Sequence, residues 1–350
     1  VSIDAESIDA VSIDAVSIDA ASIEAESIEA EPIEAEPSTY PVSNFSFEMY
    51  PPRSPAGELA LYETVDRLVQ TSPEFIAVTY GASGSTREAS LGVLRHLLTT
   101  RVSPMAHLTC VGWTYEDATN VIREFLDAGI SSFLAIRGDP PQGAVEGEDF
   151  LGDLKSAGEL VQLIHRVQQE REPFTQLEIP GFPNAKRISH SEPVTIAVAA
   201  FPNGHPRSRS VQQDLDALLA KQVAGANLAI TQLFFHADEY LGFVELARSA
   251  GVTMRILPGI MPVVSPARLK RMVELMEERL PLDLHELLVA AETPDRQYAV
   301  GIEHATRLAT ELLQGGAPGL HLYTYNKHEA VLDVLHAAGL ISSTPSKEHA

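Results

Sequence analysis

The chain of 350 residues has a single cysteine, Cys110, so no intrachain disulfide can form and a reducing compartment is expected. It has no apolar stretch approaching the ~20 residues of a membrane-spanning helix. Its N-terminus lacks a basic region followed by an apolar core, so a secretory signal is not expected and a soluble, cytoplasmic protein is. Basic residues are scarce: 25 Lys and Arg stand against 48 Asp and Glu, for a net charge of −23. Nonspecific nucleic-acid binding needs Lys and Arg against phosphate and is disfavoured, although a locally basic pocket can still take an anion. Twelve histidines are present, but there is no HExxH and no cysteine-rich spacing, so no metal site is expected. Walker, GxGxxG and GxSxG signatures are also missing. Gly81-Ala82-Ser83-Gly84-Ser85 reads as a plain turn after a strand.

Much of the negative charge is local. Residues 1–37 hold eleven Asp or Glu and no Lys or Arg, leaving −12 for the rest. This segment repeats Ser-Ile-Asp/Glu-Ala plus one variable position, with Ile3, Ile8, Ile13, Ile18, Ile23, Ile28 and Ile33 in step. A period of five gives an apolar stripe neither on a helix nor on a strand. Residues 1–41 are therefore expected to be a disordered tail and linker, closed by Pro32, Pro37 and Pro41. A catalytic domain over residues 42–342 and a short C-terminal tail over 343–350 complete the expected organisation.

Within the body, eight apolar strand-like runs cover residues 45–48, 75–80, 105–109, 133–139, 195–201, 228–232, 254–258 and 320–324. Helix-like segments separate them, over 57–70, 86–100, 115–128, 153–170, 210–224, 238–250, 265–279, 297–314 and 328–338. Gly129, Gly225, Gly251 and Gly339 stand where helices end. This alternation predicts parallel strands with crossover helices, a (β/α)8 TIM barrel whose site lies at the C-terminal strand ends. Residues 171–193, with four prolines and little periodicity, read as a surface insertion, and 281–296 as a helical excursion.

Glu48, Thr79, His107, Asp139 and Gln232 would then share one mouth. Glu48 lies between apolar and aromatic neighbours, which disfavour its charged form and suit a general acid. A structural pair with Arg53 fits the same residues. Arg137-Gly138-Asp139 combines a phosphate-binding fork, a glycine permitting close approach and a carboxylate for heterocycle N–H groups. An Arg–Asp surface pair is the alternative. Gln232 can donate and accept, as reading an aminopyrimidine edge requires, or it can simply cap the barrel.

Taken in order, several stretches resemble the methylenetetrahydrofolate reductase family: Phe47-Glu48-Met49-Tyr50-Pro51-Pro52-Arg53, Ala106-His107-Leu108-Thr109-Cys110, Arg137-Gly138-Asp139-Pro140-Pro141, Ile230-Thr231-Gln232-Leu233-Phe234-Phe235 and Pro258-Gly259-Ile260-Met261-Pro262. The resemblance spans roughly residues 44–340. It implies a homo-oligomeric flavoprotein of one-carbon metabolism. FAD would pass hydride from NADH or NADPH to 5,10-methylenetetrahydrofolate in ping-pong fashion. It implies that Glu48 and Asp139 are catalytic and that Gln232, Met272 and Lys327 bind substrate. It also implies that Thr79, His107, Arg137, Gly138, Asp139, Phe201, His205, Asp214 and Lys221 hold FAD. The chain departs from the family at Phe201, often tyrosine, at Ala217 and Ala220, often basic or polar, and at Met272, often aromatic. A non-catalytic folate- or flavin-binding subunit, or a reductase variant that is flavin-free or coupled to a protein donor, are the rival readings.

Overall fold

A computed structural model describes residues 45–52, 54–79, 87–139, 150–171, 175–179, 182–189 and 194–342. The acidic repeat, the C-terminal tail, Arg53, the turn at 81–85 and Pro140-Pro141 lie outside the described residues. The element order is β1 (Phe45–Met49), α1 (Pro55–Val69), β2 (Phe75–Val78), α2 (Arg87–Leu98), β3 (Ser103–Thr109), α3 (Tyr115–Asp127), β4 (Ser132–Ile136) and α4 (Ala157–Arg171). Then come β5 (Thr175–Ile179), β6 (Phe182–Ser189), β7 (Thr195–Ala200), α5 (Val211–Val223), β8 (Leu228–Thr231) and α6 (Ala237–Ser249). The chain continues with β9 (Arg255–Leu257), β10 (Gly259–Ile260), α7 (Pro266–Met276), α8 (Leu282–Ala290), α9 (Pro294–Gln314), β11 (Leu320–Tyr323) and α10 (Glu329–Ala337).

Helix starts follow local chemistry. Thr114 accepts from the Asp117 N–H, Ser210 from Gln213 and Ser265 from Arg268, and proline opens α1, α7 and α9. The four glycines expected to close helices all have left-handed φ.

Nine parallel segments form one sheet in the order β10-β11-β1-β2-β3-β4-β7-β8-β9. Its two ends, β10 and β9, are the halves of one strand interrupted by Pro258. Proline has no N–H for a ladder, so the strand breaks there and its halves serve different neighbours. β9 pairs with β8, and β10 with β11, which closes the ring as the expected TIM barrel. Side chains complete the joint: the Gly259 N–H donates to the Thr231 hydroxyl at 2.8 Å, and the Tyr323 hydroxyl donates to the Thr231 carbonyl at 2.9 Å.

Strand alternation sorts the core into two layers. Phe47, Met49, Ile76, Val78, Leu108, Phe133, Ile196 and Val198 face the helices in the main core. Phe75, Ala77, Met105, Leu134, Ala197, Leu228, Ile230 and Leu257 fill the barrel interior as a separate cluster. A third cluster, with Leu233, Phe235, Met261, Leu269, Met272 and Leu284, packs α7 and α8 beside the barrel.

Two features differ from expectation. The insertion 171–193 contains an antiparallel hairpin, β5–β6, in a two-stranded sheet of its own. Its runs are short and interrupted by prolines, so their alternation is hard to read. The excursion before the last unit is helical as expected, α8, but α9 starts at Pro294, earlier than its periodicity suggests, because Thr293 caps it. Among the described residues, no helix is long and apolar enough to cross a membrane.

A Cβ at Gly259 would collide with the Thr231 carbonyl oxygen and the Tyr323 ring at the joint. Gly259→Ala is expected to lower unfolding free energy by about 1–3 kcal/mol, measured as a reduced denaturant midpoint.

Candidate active site

On β1, inward alternation selects Ser46 and Glu48, and on β11 it selects His321 and Tyr323. The Glu48 carboxylate lies 3.6 Å from His321 Nε2 and 3.7 Å from His107 Nε2. All three side chains are buried. His321 Nδ1 is 2.8 Å from the Ser46 hydroxyl, whose second partner is the Leu320 carbonyl at 3.3 Å. Both Nε2 atoms are without a hydrogen-bond partner among the described residues. The expected apolar environment of Glu48 is thus corrected: Phe47 and Met49 point to the helical layer, and imidazoles meet the carboxyl group. Burial holds His107 below the ordinary histidine range, against the pull of Glu48, and His321 lowers it further. His107 is therefore neutral at neutral pH. Burial, then Glu48, Tyr50 and Tyr325, raise the Tyr323 phenol well above its usual value, so it stays protonated.

A second group forms at the exits of β4 and β7. Asp214 and Lys221 lie two turns apart on α5 and so face the same way. Asp214 accepts from the His205 N–H at 3.1 Å and from the Ser208 hydroxyl. The Phe201 ring meets His205 edge-on at 4.7 Å. The Lys221 ammonium donates to the Ala199 carbonyl at 2.9 Å. The Arg137 guanidinium lies 6.0 Å over the Phe150 ring. Burial lowers Lys221 to about 8, with Asp214 opposing and Arg137 adding to the shift. His205 is also lowered, by burial and then by Arg137, against Asp214, with Arg207 and Lys221 contributing. Arg137, Phe201, His205, Asp214 and Lys221 thus belong to one cluster with a surplus of positive charge.

Gly138 has φ 84°, and a Cβ there would approach Val111 to 2.6 Å and Thr109 to 3.1 Å. Only glycine lets the β4 exit lie this close to β3. Asp139 follows it and is exposed. Thr79 ends β2 and donates its hydroxyl to the Met49 carbonyl at 3.3 Å. Gln232, half-buried just past β8, accepts from the Leu233 N–H through its side-chain oxygen at 2.9 Å. Met272 is buried in the third cluster with Leu233 and Phe235. Lys327 is exposed in the β11–α10 loop. The sequence reading missed His321 and Ser46, although both alternate with core residues on strands it had located.

In the ring order, β1, which carries Glu48, and β7 are four places apart, while β3, which carries His107, adjoins β4. A family profile described as methylenetetrahydrofolate reductase matches residues 36–339. The chain belongs to the methylenetetrahydrofolate reductase family. It is 32% identical over 302 residues to methylenetetrahydrofolate reductase (NADH) 1 of Arabidopsis thaliana, covering 86% of this chain and 49% of that one. It is 30% identical over 299 residues to the 5,10-methylenetetrahydrofolate reductase of Escherichia coli K12, covering 85% and 91% respectively. The chain therefore spans about half the plant relative's length and most of the bacterial one's. A solved structure from Clostridium thermocellum, of an uncharacterized protein described as binding two copies of 5-methyl-5,6,7,8-tetrahydrofolic acid, superimposes with TM-score 0.52 at 12% identity, over 84% of this chain and 93% of that chain. At that identity the likeness is one of fold.

Burial brings the Lys221 ammonium down to about 8, which makes its cluster sensitive to pH above that value. Affinity for ADP, measured by titration calorimetry, is expected to fall about tenfold per pH unit once pH exceeds about 8. Lys221→Gln is expected to bind more weakly and to lose that dependence.

Proposed function

We propose that the chain reduces 5,10-methylenetetrahydrofolate to 5-methyltetrahydrofolate, with Glu48 as the proton donor. The observation that carries the reading is the buried Glu48 carboxyl group flanked by His107 and His321 at 3.7 and 3.6 Å. Family membership and the 30% identity to the bacterial reductase support it. FAD, where bound, carries hydride from NADH or NADPH to the folate, the two substrates alternating at one face in ping-pong order.

The residues present fit a flavin dinucleotide. Arg137 and Lys221 gather positive charge in a protein of net charge −23, with His205 beside them as a neutral polar group, and the Lys221 ammonium has a single carbonyl as its protein hydrogen-bond partner among the described residues. Such a cluster suits a diphosphate. Asp214 suits sugar hydroxyls, and Phe201, Thr79, His107 and Gly138 complete the cofactor side of our reading. Asp139 is assigned to tuning the flavin and holding the pterin, and Gln232 to the pterin edge. Lys327, exposed beside the mouth, suits a folate carboxylate, and we keep Met272 as an apolar support of the folate wall.

In this reading Glu48 protonates a nitrogen of the imidazolidine ring. The carbon–nitrogen bond opens and leaves an iminium that is ready for hydride. His321 can carry its proton on either nitrogen, since the Ser46 hydroxyl can donate to Nδ1 or accept from it, so the Glu48 carboxyl group can face a donor or an acceptor. Exposed Leu275, Leu282, Leu287 and Val289 on α7 and α8 support association of like chains. The soluble, cytoplasmic assignment remains part of this proposal.

Purified protein is expected to be yellow and to bleach with NADH or NADPH. Glu48→Gln is expected to keep that bleaching and to slow reoxidation by methylenetetrahydrofolate by about 10²-fold or more, followed by stopped-flow absorbance. Folate turnover near the wild-type rate would remove Glu48 from the mechanism, and a colourless protein that takes up no FAD would remove the flavin.

A further inference from the structure

The Glu48 carboxylate makes no hydrogen bond to either flanking imidazole, since both lie beyond 3.5 Å. Among the described residues no side chain hydrogen-bonds the carboxylate, and the backbone that carries it helps to set its aim. That backbone is held on one side by β2, where the Thr79 N–H donates to the Met49 carbonyl at 3.0 Å. On the other side the regular β1–β11 pairing ends at Glu48↔Tyr323, and side chains take over. The Thr324 hydroxyl donates to the Glu48 carbonyl at 2.7 Å, and the Thr324 N–H does so at 3.2 Å. Two residues on, the Asn326 side chain mimics a strand. Its Oδ1 accepts from the Tyr50 N–H at 2.8 Å, and its amide nitrogen donates to the Tyr50 carbonyl at 2.8 Å. The Asn326 N–H in turn donates to the Thr324 hydroxyl at 3.0 Å, which links the two contacts.

The loop that delivers this side chain is strained. Tyr325 and Asn326 have φ of 52° and 58°, two successive non-glycine residues in the left-handed region. Asparagine tolerates that region and tyrosine does not. Strain of this kind persists only where surrounding contacts over-determine it, and it concentrates at functional positions. The contacts are present: the Tyr325 ring lies between the Tyr50 ring, at 5.6 Å, and the Arg268 guanidinium, at 5.1 Å.

We propose that Asn326, acting with Thr324, is a positioning residue that extends the β1–β11 ladder by side chain and so holds Glu48 at its donor position. The inference rests on the reading of Glu48 as the proton donor. Loss of the clamp removes the two Asn326 hydrogen bonds from the Tyr50 backbone and lets the β1 exit drift, which affects proton delivery and not the cationic cluster near β7.

The test compares the two half-reactions in holoenzyme by stopped flow. Asn326→Gly removes the side chain while keeping a residue that accepts φ near 58°, so backbone strain does not confound it. Thr324→Val removes the hydroxyl at constant shape and serves if the glycine variant does not fold. Both are expected to slow folate-driven reoxidation at least about tenfold and to displace its pH profile, with flavin reduction by NADH or NADPH within about twofold of wild type. Faster exchange of the Tyr50 amide is expected in Asn326→Gly. If Glu48→Gln impairs reoxidation but both clamp variants match wild type, the clamp is wrong and the donor stands. Equal slowing of the two half-reactions gives Asn326 a purely structural role and also overturns it. If Glu48→Gln itself reoxidises normally, the donor reading fails, and the clamp with it.

Discussion

Closure of the parallel ring at Pro258 is the constraint on which the site depends. Glu48, on β1, has β11 on one side and β2 and β3 on the other. Without closure the sheet has free edges at β10 and β9, and the register that brings His321 within reach of Glu48 from one side and His107 from the other has no support. The joint is made by unusual means. A residue that cannot donate forces the strand to break, and Thr231 answers with its hydroxyl to Gly259 and its carbonyl to Tyr323. Tyr323 is itself an inward neighbour of Glu48, so the residue that seals the barrel also borders its acid.

Electrostatics divides the mouth into two parts with opposite tasks. Around Glu48 on β1, burial holds His107, reaching in from β3, neutral beside the carboxyl group, an arrangement suited to handling protons. On the β4–β7 arc, Arg137 and Lys221 are gathered with Asp214 as a counter-charge, an arrangement suited to holding anions. An extended molecule bound at its phosphates on one arc can present its reactive end to the other.

The fold was legible because eight apolar runs separated by helical spacing admit few packings. What the sequence hid has local causes. Pro258 sits inside an apolar run and reads as its end, while it is the middle of a bent strand. The β5–β6 hairpin is too short and proline-broken for its alternation to stand out. At the site, Glu48 could be singled out by its position at a strand end, but its surroundings could not. The neighbours visible in sequence, Phe47 and Met49, face away, and the histidines that matter arrive from β3 and β11. Asp214 and Lys221 carry no signal in composition or spacing and were found only through family likeness. Asn326 drew no notice in the sequence, since nothing there says that its amide completes a ladder begun 276 residues earlier.

The left-handed Gly138, pressed against Val111 and Thr109, has a wider meaning. A position that admits no side chain is also one that evolution cannot easily use to narrow or widen the entrance. Diversity in what this scaffold accepts must then accumulate elsewhere around the rim, on arcs where the backbone has room to vary, while the threshold beside Arg137 keeps one shape.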